Sequence, residues 1–190
     1  YSNKILQIDT YHPAGNYYTG ISYRGKGDLI NALESLGWAA RSAEFRTAAY
    51  TQMAGIGLQM KNLNLALHYA GQALDYDRYN LSAMKVLAAA NRLAGNTQRA
   101  TSILEEIDNL DPLDHFAHFE KYLLSQSGQN YEAFEKAIRN EFPFQTYLEV
   151  FLEYYHLGLQ RDALKVLKKA PKHPLISIWE AYVSKDQQLL

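Results

Sequence analysis

At 190 residues and 47% hydrophobic content the chain is long enough to bury a core, and a formal net charge of −1 lacks the basic excess that binding nucleic acid requires. No stretch approaches the roughly 20 apolar residues of a bilayer-crossing helix, so no membrane insertion is expected. The absence of Cys excludes disulfide and thiolate chemistry and leaves a cytoplasmic or an exported location equally open.

Residues 1–12 open on Tyr1-Ser2-Asn3-Lys4, with neither Met nor a leader pattern. Ile5, Leu6 and Ile8 read as the second helix of an earlier, truncated repeat, which implies an upstream continuation. From Pro13 a period of 34 residues sets in. Ala32, Ala66 and Ala100 keep that spacing, as do Leu36, Ala70 and Leu104, and Ala39, Ala73 and Ile107. Gly27-Asp28, Lys61-Asn62 and Gly95-Asn96 fall on the same beat and separate two helical halves in each unit. Asp28, Asn62 and Asn96 can cap the second helix, and Gly27 and Gly95 tolerate the positive φ that closes the first. Within the halves apolar residues recur at helical spacing, as in Leu65, Tyr69 and Ala73 beside Leu67, Ala70 and Leu74. The small residues Ala54, Ala66, Ala88 and Ala100 let paired helices approach closely.

Units of 13–46, 47–80 and 81–114 follow, with Asp77 and Asp111-Pro112 as exits. A shortened fourth unit, 115–143, ends at Phe142-Pro143, because proline disfavours helix in the residue before it. A fifth, 144–174, carries Tyr147, Val150-Phe151, Tyr154, Gly158 and Ala163-Leu164 and closes on Pro171 and Pro174. Residues 175–190, with Leu175, Ile178, Trp179 and Tyr182, read as a capping helix.

A 34-residue helix-turn-helix unit with small residues at its eighth and twentieth positions resembles the tetratricopeptide repeat. Gly20, Tyr23, Gly27 and Ala32 match that pattern in the first unit, Tyr50, Met53-Ala54 and Ala66 in the second, and Leu87-Ala88, Gly95, Ala100 and Pro112 in the third. Departures are Glu44 and Arg78 at exit prolines, and Gly57 and Asn91 at the eleventh-position aromatic. The resemblance implies an all-α, right-handed superhelix (α-α solenoid) of about five repeats, forming a single array.

It further implies a concave groove lined by first helices, through Tyr17, Ile21 and Arg24, Thr51 and Leu58, and Ser82, Lys85 and Arg92. Phe116, Phe119, Leu148 and Tyr155 would extend it. The Lys and Asn clamp with which some members grip a terminal carboxylate is not reproduced, since Tyr17, Ile21 and Ala48 stand at its positions. The implied role is a non-catalytic scaffold binding a peptide or protein partner. An alternative is an accessory region of a larger exported, carbohydrate-processing bacterial protein, packing intramolecularly on an upstream domain. The Tyr-rich texture and Trp38-Ala39-Ala40-Arg41-Ser42 resemble such proteins.

Catalytic signals are thin. His115 and His118, three apart behind Asp111 and Asp114, have a spacing zinc could use, but Asp residues there also make a turn and a cap. Glu105-Glu106 with Asp108 read as a solvated helix face, and the glycines are too scattered for a phosphate loop. No catalytic residue, cofactor or metal is expected. The 15 Tyr, 7 Phe and 2 Trp are the distinctive feature, divided between filling gaps between helices and recognition.

Overall fold

The apolar spacing is realised as helices throughout. The computed structural model describes residues 2–139 and 142–187, and among them are twelve α-helices and no strand. Outside the described residues lie residue 1 of the leading element, residues 140 and 141 of the fourth unit, and residues 188–190 of the expected capping helix. In chain order the helices are α1 (Ser2–Ile8), α2 (Pro13–Gly25), α3 (Leu29–Ala39), α4 (Arg46–Gln59), α5 (Leu63–Tyr76), α6 (Leu81–Leu93), α7 (Thr97–Leu110), α8 (His115–Ser125), α9 (Gly128–Ala137), α10 (Pro143–His156), α11 (Gln160–Lys169) and α12 (Pro174–Gln187). Within α7 the chain divides into two compact units, Tyr1–Ile103 and Leu104–Leu190.

In the first unit α2 packs on α3, α3 on α4, α4 on α5 and α5 on α6, while the first helices α2, α4 and α6 also touch in succession. The periodic positions are the core: Ala32, Leu36, Ala39, Ala66, Ala70, Ala73 and Ala100 are all 0% exposed. Small residues recur because the helix backbones nearly meet. A Cβ on Gly20 would lie 2.6 Å from Leu36 Cγ, and one on Gly57 only 2.5 Å from the Ala66 backbone nitrogen. The eleventh-position aromatic is therefore missing at 57 because α5 occupies its space. At 91 the departure braces a turn: the buried Asn91 amide donates to Leu87 O (2.8 Å), and its Oδ1 accepts from the Asn96 amide (3.3 Å).

The three turns are built alike. Gly27, Lys61 and Gly95 adopt positive φ of 79°, 56° and 79°. The next residue in each donates its backbone N–H five residues back, Asp28 to Tyr23 (3.0 Å), Asn62 to Gly57 (2.8 Å) and Asn96 to Asn91 (2.9 Å). Asp28 and Asn62 also cap the following helix, accepting from Asn31 N (3.3 Å) and Leu65 N (3.0 Å). Matching hydrogen bonds at a fixed interval give the 34-residue repeat its physical cause.

In the second unit Leu104 and Ile107 continue the buried positions, but the later turns shift. Gln126 (φ 51°) and Gly158 (φ 73°) take the left-handed positions. The next residues, Ser127 and Leu159, follow Asn96 and Ser127 by 31 and 32 residues. Helices α8 and α9 have 11 and 10 residues, against 14 each in α4 and α5. Shorter helices offer fewer side chains, and larger ones supply the burial: Phe116, Phe119, Phe134, Phe151 and Tyr154 are each at most 1% exposed. Helix α8 packs on α9 and α10, and α11 on α10 and α12.

Candidate functional site

Helical geometry puts residues 17, 21 and 24 of α2 on one stripe, and residues 82, 85 and 92 of α6 on another. Tyr17 and Ile21 are half-buried against the first-unit core, with the Tyr17 ring 5.3 Å from Phe45 and 5.5 Å from Tyr18. Burial raises the Tyr17 phenol above its ordinary range; Tyr18 adds to that and Arg24 opposes it. Arg24 reaches from α2 onto α4, where its Nε donates to Gln59 Oε1 (3.1 Å) and its Nη1 to Gln52 Oε1 (2.5 Å). A Cβ at Gly55 would lie 2.7 Å from Arg24 Nη2, so a larger residue there would push the guanidinium aside. Burial pulls the guanidinium below its ordinary pKa, yet arginine stays charged at any physiological pH.

Thr51 is half-buried, and its hydroxyl donates back to Thr47 O (2.9 Å), leaving its methyl and both oxygen lone pairs for other contacts. Lys85 and Arg92 are half-buried and Ser82 is exposed. Gln52 and Gln59, which hold Arg24, were not among the sequence candidates. Their signal is a seven-residue spacing on α4 with Gly55 between them.

Three of the expected groove residues are instead inside the protein. Leu58 is 2% exposed on a helix buried on nearly every side. Phe116 stacks on Tyr154 at 4.6 Å, and Phe119 meets Phe134 at 5.3 Å and Tyr154 at 6.1 Å. The cause is Tyr154 of α10, whose ring lies against both and whose hydroxyl donates to the buried Glu120 at 2.5 Å. Side chains spent on packing in this way are not on offer to a partner. Leu148 and Tyr155 are half-buried, Tyr155 lying 5.6 Å from Phe151 and 5.9 Å from Trp179.

Three of the polar candidates for chemistry are engaged in structure. Asp114 Oδ1 accepts from Ala117 N (2.8 Å) as the cap of α8, Asp111 Oδ1 accepts from Leu113 N (3.1 Å), and His118 Nε2 lies 2.9 Å from Pro112 O. Among the described residues no three metal-ligating side chains come together, and no helix is long and apolar enough to cross a membrane. The Tyr131 and Tyr147 hydroxyls share a 2.7 Å hydrogen bond, and burial pushes both phenols above their ordinary range, so both stay protonated at neutral pH.

Helix pairs joined by identical left-handed turns, with first helices side by side, invite comparison with solved structures. The crystal structure of a tetratricopeptide repeat protein from Parabacteroides merdae superposes with a TM-score of 0.67 at 14% identity, over 96% of this chain and 75% of that one. The fold is the tetratricopeptide-repeat fold. Two crystal structures of MamA share it, with TM-scores of 0.60 and 0.57 at 22% and 20% identity. They cover 83% and 90% of this chain and 88% and 97% of theirs. No family model and no curated protein matches the sequence. At these identities the tetratricopeptide likeness describes architecture, and the surface residues carry any statement about partners.

Proposed function

We propose that the chain is a non-catalytic protein-interaction scaffold that receives an acidic peptide or protein segment along the face formed by α2, α4 and α6. One observation carries this reading. These three helices contain Arg24, Arg46, Lys85 and Arg92 and not a single Asp or Glu, whereas α3, α5 and α7 carry Glu34, Asp75, Glu105, Glu106 and Asp108 against one Lys or Arg, Arg99. In a chain of net charge −1 this segregation puts an excess of formal positive charge on the first helices, which favours an acidic partner. Tyr17 and Ile21 supply apolar contact beside Arg24, and Thr51 and Ser82 supply hydroxyls, a mixture suited to an extended segment with alternating acidic and apolar side chains.

Binding to an array of Asp- and Glu-rich peptides interspersed with Tyr or Leu tests the proposal. The double substitution Lys85→Glu with Arg92→Glu is expected to weaken the best-bound peptide at least about tenfold, and raised salt is expected to weaken the unsubstituted chain in the same direction. Circular dichroism melts report whether the variant still folds. Unchanged affinity in a folded variant would remove the proposal.

A further inference from the structure

At the end of the first helix pair opposite its Gly27 turn, a cavity of about 480 Å³ opens between the entry to α2 and the exit of α3. Tyr11, Pro13, Trp38, Arg41 and Ser42 line it. Its volume is within the range of small-molecule sites, and it is an open cleft, with Tyr11 62% exposed and Arg41 exposed. The rings of Tyr11 and Trp38 meet at 4.7 Å and 53°, forming a bent aromatic wall. The guanidinium of Arg41 lies 5.0 Å from the centre of the Trp38 ring.

Both sides of the cavity are fixed by hydrogen bonds. Asp9 closes the turn on one side, its Oδ1 accepting from Tyr11 N (3.0 Å) and its carbonyl from His12 N (3.1 Å). On the other side Arg46 donates to the carbonyls of Ala40 (3.1 Å) and Arg41 (3.2 Å). These bonds fix the backbone on both sides of the cleft, so a ligand has only the exposed Tyr11 and Arg41 side chains to order.

Of the polar groups lining this cleft, the Arg41 guanidinium only donates, and the Tyr11 and Ser42 hydroxyls can donate or accept. Among the described residues no hydrogen bond or ion pair engages the Arg41 guanidinium, whose one contact is with the Trp38 ring, and the Ser42 hydroxyl is likewise unengaged. The carboxylate of Asp9 is turned to the backbone of Tyr11 instead. A guanidinium 5.0 Å from an indole ring still has paired N–H groups that a planar oxyanion can accept together. We infer that this cavity binds a small aromatic oxyanion, with its carboxylate or phosphate held by Arg41 and Ser42 and its ring packed on Tyr11 and Trp38. The site is separate from the first-helix face and stands whether or not that face binds a peptide.

The Trp38 indole N–H signal in a ¹⁵N NMR spectrum reads the site directly, with Trp179→Phe assigning it against the chain's other tryptophan. Benzoate and phenyl phosphate are the two probes, and benzamide and inorganic phosphate are the controls lacking the charge or the ring. Saturable movement of the Trp38 signal by benzoate or phenyl phosphate is expected, the tighter of the two identifying the source of the oxyanion. Arg41→Gln, at an exposed position, should weaken that titration at least about tenfold with an unchanged thermal melt, and Arg41→Lys should fall between, because lysine keeps the charge without the fork. The inference is overturned if benzamide or inorganic phosphate moves the signal as effectively, if neither probe moves it, or if Arg41→Gln leaves the titration unaltered.

Discussion

Gly57→Ala is expected to destabilise the first unit by about 2–3 kcal/mol, read as a lowered midpoint in urea unfolding. The added methyl would stand 2.5 Å from the Ala66 backbone nitrogen and 2.8 Å from its Cα, and neither can move without displacing α5. Alanine's intrinsic preference for helix, worth about 1 kcal/mol over glycine, works in the opposite direction and is outweighed. Gly71, inside α5, isolates the two terms, because a Cβ there meets nothing within 4 Å. Gly71→Ala should therefore be stabilising, by about 0.5–1 kcal/mol. Two glycines on neighbouring helices, given the same substitution, are expected to respond with opposite sign.

Phe119→Ala is expected to cost the second unit about 3–5 kcal/mol, the usual range for emptying a fully buried phenylalanine site. Its ring is 0% exposed and shares contacts with Tyr122, Phe134 and Tyr154, so the cavity left behind has rigid aromatic walls that collapse poorly. Were Phe119 a groove residue, as its place in the repeat suggests, the same substitution would leave the unfolding midpoint nearly unchanged and act on partner binding alone. Chemical denaturation followed by tyrosine fluorescence separates the two.

The contrast between these residues explains what could be read in advance. Ala32, Ala66 and Ala100 betray the fold because a close approach of helices demands small side chains at fixed intervals. The corners at Asp28, Asn62 and Asn96 are equally legible, since capping and left-handed φ are properties of a few residues. Gly57 is visible as a departure, but its reason belongs to α5, which passes over it. Phe116 and Phe119 could not be sorted from sequence: an aromatic side chain at those positions suits a groove or a core, and the choice is made by Tyr154, beyond the point where the period loosens. The pairing of Arg24 with Gln52 and Gln59 depends on helices packed side by side. Tyr11 and Trp38 are 27 residues apart, and the pairing of α2 with α3, with the turn closed by Asp9, brings them together.

The absence of cysteine makes the decisive measurement clean, because each introduced thiol is the only one present. Thr51→Cys and Ser82→Cys place a thiol on the first-helix face, and Arg99→Cys places one on the exposed surface of α7. Thiol-labelling rates would be compared with and without a saturating amount of the best-bound acidic peptide. The scaffold account predicts labelling slowed at least about tenfold at positions 51 and 82 and unchanged at 99. Equal rates at 51 and 82 with bound peptide, or protection confined to 99, would contradict it.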